Sequence, residues 1–369
     1  MPALAWMQAI GRPGGEPIRR LLVAGCGTGA EAFGLREKLP KVEIVAVDFS
    51  PRSIAVARRR QREMATGAGE GAGAGADAGT GAGAGARKPI TFLVGDLTDA
   101  RLAEKLGGDF DLITCHGVLS YIPQPGRALK TMAGCLAKGG ALYLGVNGAG
   151  HPATALRPWL EKFGVAVDTL CDERRVRELL RLWDALHDDD LGELATMPAS
   201  YLASDVCGAW FNNWTLAKWR TEARRGGWEV AGTAILPAAL RLAMEGDRHV
   251  PLYPAGVGEL AERLDDVRPA GFHRIMLRRA VRRGAEPSLR WTGLYTVRVK
   301  AGAARFFAGA SGVRFDTKLT TREAALLGIL LEEKIAPTGW VEAWTRSEAG
   351  RKRLWEWEAL GVVAGVDSD

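Results

Sequence analysis

Leu21-Leu22-Val23-Ala24-Gly25-Cys26-Gly27-Thr28-Gly29, followed by Val45-Ala46-Val47-Asp48, decides the fold. Ile18 to Ala24 is short and rich in branched apolar residues, which predicts a buried strand. Gly25, Gly27 and Gly29 remove Cβ atoms where the chain turns and a ligand must approach the backbone. A helical pattern follows, with Ala32, Phe33, Leu35 and Leu39 apolar, and Pro40 ends it. Val42 to Val47 predicts a second strand, closed by Asp48, 23 residues after Gly25. An acid at about that distance in a βαβ unit meets ribose hydroxyls, because a carboxylate accepts two hydrogen bonds from a cis diol. The plan is that of a nucleotide-type cofactor site at the carboxyl edge of a parallel sheet.

Three more strands follow: Phe92 to Leu97, which carries Gly95-Asp96, then Asp109 to Gly117, then Gly139 to Val146. Helical segments separate them, so five strands and four crossovers predict an α/β, doubly wound sheet. Residues 18 to about 146 resemble a class I S-adenosylmethionine-dependent methyltransferase. The matching pieces are Gly25-Cys26-Gly27-Thr28-Gly29, Val47-Asp48-Phe49-Ser50 with Ser53 to Ala57, Gly95-Asp96-Leu97, Phe110-Asp111-Leu112-Ile113 and Leu136-Ala137-Lys138-Gly139-Gly140. A dehydrogenase fingerprint would place its third glycine at position 30, where this chain has Ala30. Alanine is tolerated there, but Asp96 and the Leu136–Gly140 turn favour methyl transfer.

The resemblance implies S-adenosyl-L-methionine as cofactor. It implies that Gly25, Cys26, Gly27, Thr28 and Gly29 cradle the methionine part, and that Asp48 holds the ribose. Phe49 and Ser50 then flank ribose and adenine, Asp96 accepts the adenine amino group, and Leu97 offers its amide. Cys115 and His116 line the exit of the fourth strand. One departure stands out: members of the family carry an acid two residues before the first glycine, and this chain has Val23.

A sulfonium methyl is already activated, so positioning and desolvation supply most of the rate. A general base helps a hydroxyl or ammonium acceptor. His116 and Tyr121 are the candidate catalytic residues, with His151 a second choice, against the competing reading that they only pack around the cofactor. No Asn-Pro-Pro-Tyr-like segment follows the fourth strand, which argues against amino methylation of nucleic-acid bases. Cys115 to Pro123 resembles a bacterial methyltransferase group with an added C-terminal regulatory region, some of whose members modify protein lysines. The expected acceptor is therefore a nucleophilic N or O atom of a protein side chain or a small molecule. The competing reading is a cofactor-binding regulatory protein that has lost catalysis, to which Val23 lends weight.

The chain is 369 residues long with net charge +6. The pairs Arg278-Arg279 and Arg282-Arg283 read better as cations guarding a solvated strand edge than as a nucleic-acid patch. Cys26, Cys115, Cys135, Cys171 and Cys207 are spaced singly, a reduced and metal-free pattern, and no apolar run reaches a membrane span. These features lead to the expectation of a cytoplasmic protein without membrane or nucleic-acid partners, with oligomerisation through the C-terminal region.

The methyltransferase domain is expected over residues 1–283. Within it, residues 67–86 are Gly or Ala at 17 positions and predict a flexible surface insertion. Residues 148–226, mostly helical in pattern, interrupt the chain where one helix would suffice, and either cap the acceptor pocket or form a small second core. Trp228 to Leu236 and Phe272 to Ala280 predict strands six and seven, the seventh antiparallel between the fifth and sixth by resemblance. The whole is a seven-stranded, mostly parallel sheet with a helical insertion and a small C-terminal α+β domain over residues 284–369. Short strands within Thr292 to Phe307 and helices over Arg322 to Lys334 and Arg346 to Leu360 would make that region winged-helix-like.

Overall fold

The computed structural model describes residues 4–12, 17–66, 87–165, 172–186, 194–233, 257–279, 287–300, 302–308, 313–336 and 338–367. The Gly/Ala tract 67–86, Cys171 and Arg282-Arg283 lie outside the described residues. One sheet contains β1 (Arg20–Ala24), β2 (Glu43–Asp48), β3 (Ile90–Val94), β4 (Phe110–His116), β5 (Leu136–Asn147), β6 (Trp228–Thr233) and β7 (Phe272–Arg279), in the order β3-β2-β1-β4-β5-β7-β6. The first five strands pair in parallel, and β7 runs antiparallel between β5 and β6. This is the doubly wound sheet expected from the sequence.

Strand periodicity explains how both faces are buried. Leu21, Val23, Ile44, Ala46, Leu112 and Tyr143 share one core, and Leu22, Ala24, Val45, Val47, Ile113 and Leu144 share the other. The first face carries α1 (Leu4–Gly11), α2 (Ala30–Lys38) and α3 (Pro51–Ala65); the second carries α4 (Leu102–Leu106) and α5 (Pro125–Cys135). The sequence reading did not anticipate α1. It packs on β5, β6 and β7, and Gly11 leaves no room for a side chain against Met276 and Ala141.

Asp111 ties this N-terminal segment down. Its carboxylate accepts from the backbone amides of Arg19 (2.8 Å) and Arg20 (3.0 Å) and from the Arg12 guanidinium (2.9 Å). Burial alone would raise its pKa, but these donors outweigh burial and hold it below the usual carboxylate range.

Arg278 and Arg279 do not guard an open strand edge, which corrects the sequence reading. They end β7, and both are paired to β6 while Arg278 is also paired to β5. Arg279 turns back to donate to the carbonyls of Ala133 and Leu136.

The insertion after β5 contains α6 (Pro152–Lys162), α7 (Glu173–Leu186), a short turn α8 (Ala199–Tyr201) that runs into a π-helical turn at Leu202–Val206, and α9 (Leu216–Arg225). Leu156, Leu160, Val176, Leu180, Leu202 and Val206 form a separate small core. Helix α10 (Val257–Val267) packs on α9 and β6.

The C-terminal region is strand-rich: β8 (Pro287–Trp291), β9 (Thr296–Lys300), β10 (Ala303–Ala308), β11 (Val313–Lys318), α11 (Thr321–Glu333), β12 (Ile335–Ala336), α12 (Thr338–Thr345), α13 (Glu348–Ala359) and β13 (Val363–Asp367). It forms two three-stranded sheets, β11-β10-β9 and β12-β8-β13. Three helices are present here where the sequence reading expected two. Thr320 and Glu323 close a reciprocal capping box on α11. Phe306 and Phe315 stack on one another within the buried face, and Tyr295 meets both rings edge-on.

Candidate cofactor and acceptor site

The loop between β1 and α2 is shaped by its glycines. Gly25, Gly27 and Gly29 take φ of +74°, +52° and +91°, the left-handed region that favours glycine. A Cβ on Gly25 would collide with Val118, whereas one on Gly27 would meet no atom within 4 Å. Gly27 therefore presents bare backbone to open space, and Gly117, after β4, does the same. The amides of Gly25 and Cys26 both donate to the Val47 carbonyl, at 2.8 and 2.9 Å, which folds the loop across the tip of β2.

Asp48 is the strap between these tips. Its Oδ2 accepts from the Gly27 amide at 2.8 Å and its Oδ1 from the Ser50 amide at 2.9 Å, while its carbonyl accepts from Gly95 at 2.9 Å. Each carboxylate oxygen still has a lone pair for a further donor. Ser50 caps α3 by accepting from the Ser53 amide at 3.2 Å. Phe49 stands 78% exposed beside it, an apolar ring with no cover. Asp96 is exposed and uses only Oδ1, for the amide and hydroxyl of Thr98 at 2.8 Å each, while Leu97 is buried behind it. Thr28 accepts from Arg60 at 3.2 Å.

The cysteines are inward. Burial pushes the Cys26 thiol up to about 12, and Sγ donates to the Gly27 carbonyl at 3.6 Å. Cys115 is wholly buried and burial raises it too, so neither thiol is a nucleophile near neutrality.

His116 leaves β4 with its Nδ1 2.8 Å from the Tyr143 hydroxyl and its ring 5.0 Å from Phe272. Burial above all, with nearby positive charge adding to it, lowers its pKa to about 4, so the imidazole is neutral near pH 7. Tyr121 sits in a polar network. Its hydroxyl donates to Asp205 Oδ1 at 2.6 Å and accepts from Asn147 Nδ2 at 2.8 Å. Burial, reinforced by Asp205, raises the phenol well above its ordinary value. The Asn147 amide donates to Ser120 Oγ at 2.7 Å, and Asn212 grips the same turn through the carbonyls of Ser120, Leu119 and Ile122. The inserted helices thus have a core of their own and also deliver Asp205 to the sheet edge. His151 caps α6 by accepting from the Ala153 amide at 3.2 Å, and burial lowers its pKa.

Sequence reasoning missed Asp205, Asn147 and Glu31. Asp205 lies 84 residues from Tyr121, with no local signal to join them. Glu31 lies two residues past the glycine loop and was legible there as an acid in the first turn of α2.

A nucleoside joined to an amino acid fits this arrangement. Bare backbone at Gly27 and Gly117 gives it room, and the carboxylates of Asp48 and Asp96 keep acceptor capacity toward its hydroxyl and amino groups. Among the described residues no helix is long and apolar enough to cross a membrane.

Residues 22–144 match the family model of the methyltransferase domain. The chain is 34% identical over 135 residues to an uncharacterized protein of Synechococcus sp., an overlap of 37% of this chain and 25% of that protein. It therefore spans about a quarter of the length of the curated relative it matches. Among solved structures, it is similar to PKMT2 from Rickettsia typhi, with TM-score 0.55 and 14% identity over 99% of this chain and 75% of that one. The same protein in complex with AdoHcy gives TM-score 0.54 over the same shares. The sheet order and the glycine loop agree with this match to a methyltransferase domain over residues 22–144.

Proposed function

We propose that this chain is a methyltransferase that binds S-adenosyl-L-methionine on the β1–α2 loop and passes the methyl group in line to an N or O acceptor. The observation that carries this reading is the pairing of open backbone at Gly27 with the Asp48 carboxylate, which binds loop and strand tip together. When bound, the cofactor supplies a sulfonium methyl that needs no further activation. The protein's task is then to bind, orient and exclude water.

Asp48 grips the ribose, Asp96 and the Leu97 amide meet the adenine, and Phe49 covers the nucleoside. The acceptor enters from the side of the inserted helices, against Tyr121, Asn147 and Asp205. The Tyr121 hydroxyl orients the acceptor atom, and Asp205, hydrogen-bonded to it, takes the proton that the acceptor sheds. His116 is a neutral wall of the pocket, its Nδ1 held by the Tyr143 hydroxyl. The Tyr121–Asp205–Asn147 network favours catalysis over a purely regulatory role.

The acceptor belongs to a protein side chain or to a small molecule, and labelled cofactor incubated with fractionated lysate separates the two. Label in the protein fraction identifies the first, and label in the metabolite fraction the second. Tight cofactor binding with no labelled product in either fraction would overturn the catalytic reading.

A further inference from the structure

Val23 occupies the β1 position where the resembled family has an acid, and its neighbour in the sheet is Thr114 of β4. Both strands end under the glycine loop. Thr114 is fully buried, and its hydroxyl has no hydrogen-bond partner among the described residues. Glu31, in the first turn of α2, brings a carboxyl group to the same place, and its Oε1 is likewise enclosed and unpartnered. Thr114 stabilises the Glu31 anion without reaching a hydrogen bond of normal geometry, and the charge of Glu31 is felt by Cys26 in the loop and Cys115 at the end of β4. Two enclosed, unused polar atoms from different elements thus face one another beside open backbone. Such atoms are costly unless a polar ligand completes them.

We propose that Glu31 replaces the missing β1 acid and holds the ammonium group of the cofactor's amino-acid part, with the Thr114 hydroxyl as its second acceptor. This rests on the proposed binding of S-adenosyl-L-methionine. A cation is the partner that fits, because the site offers a carboxylate and a hydroxyl acceptor. Burial raises the pKa of Glu31 above its ordinary value, so the carboxyl gains most from a positive group brought next to it. Glu31 acts here as a positioning residue that fixes one end of the cofactor, and transfers no proton.

The test compares two ligands on the full-length chain by calorimetry: S-adenosylhomocysteine, and 5′-methylthioadenosine, which keeps the nucleoside but lacks the amino acid. Glu31→Gln is expected to weaken S-adenosylhomocysteine about tenfold or more and to leave 5′-methylthioadenosine unchanged. Adding Val23→Asp to Glu31→Gln returns a carboxylate from β1 and is expected to recover most of the lost affinity. Equal binding of S-adenosylhomocysteine by wild type and Glu31→Gln would overturn the assignment while leaving the cofactor reading intact. An equal loss of both ligands would also overturn it, since a damaged loop and not a lost ammonium partner would explain that result. If the wild type binds neither ligand, the cofactor reading itself falls, and this assignment with it.

Discussion

The floor and the rim of the site are built by opposite means. The floor, Gly25 to Gly29 with Asp48, is made of backbone, and its shape is set by three positive φ angles and a carboxylate that accepts two amides. The rim, Tyr121, Asn147 and Asp205, is made of side chains from three separated segments, held by a chain of hydrogen bonds. A backbone-built floor is rigid and suits a cofactor that is the same in every turnover. A side-chain rim is replaceable, so it suits an acceptor that differs from one methyltransferase to another.

The contrast can be broken from either side. Asp205→Asn should cut turnover about 100-fold, the lower range for loss of a positioned base, and leave S-adenosylhomocysteine affinity unchanged. A fall in cofactor affinity instead would make the rim part of the floor. Asp48→Ala should do the reverse, weakening the cofactor by about 1.5–3 kcal/mol, roughly 10- to 150-fold in Kd. Unchanged affinity in a folded variant would place the ribose elsewhere. Gly25→Ala should cost about 1–2 kcal/mol from left-handed strain, with the collision against Val118 added, and is read as a lower Tm. Pairing it with Val118→Ala should return only the collision part, and full recovery would show that the φ angle is not the constraint.

The smallest expected effect is in acid. His116 titrates near 4 when folded and near 6.5 when unfolded, so the unfolded chain binds the extra proton between those values. Stability from the neutral imidazole is complete above about pH 6.5 and is lost as pH falls toward 4. Its size stays below about 3 kcal/mol, since solvent reaches this half-buried ring. Burial depresses His151 and His273 as well, and they add in the same direction. Thermal melts between pH 7 and 4 should show the decline, and His116→Gln should flatten part of it. An acid limb identical in that variant would remove His116 from the account.

The first five strands were legible because they are mainly apolar and each is closed or followed by a glycine or an acid. Gly25, Asp48 and Gly95-Asp96 announce themselves within a few residues of their strands. Helix α1 was not legible: Leu4 to Gly11 carries no cap or charge pattern, and its place on β5 and β7 comes from tertiary packing. The edge role read for Arg278 and Arg279 failed because an antiparallel strand closes over β7, a pairing that no local signal reports. Asp205 was hidden for a related reason. Its partner Tyr121 lies on another element, and only the fold of the insertion brings carboxylate and phenol together. Glu31 was readable as an acid near the loop, but its unused oxygen and that of Thr114 become visible only once burial is known.

Hydrogen exchange of the intact chain, with and without S-adenosylhomocysteine, tests the floor most directly. The amides of residues 25–29, 48–50 and 95–97 should slow together on addition of ligand, while those of the C-terminal sheets keep their rates. Binding that leaves these three segments unprotected, or protects a different surface, would contradict the account.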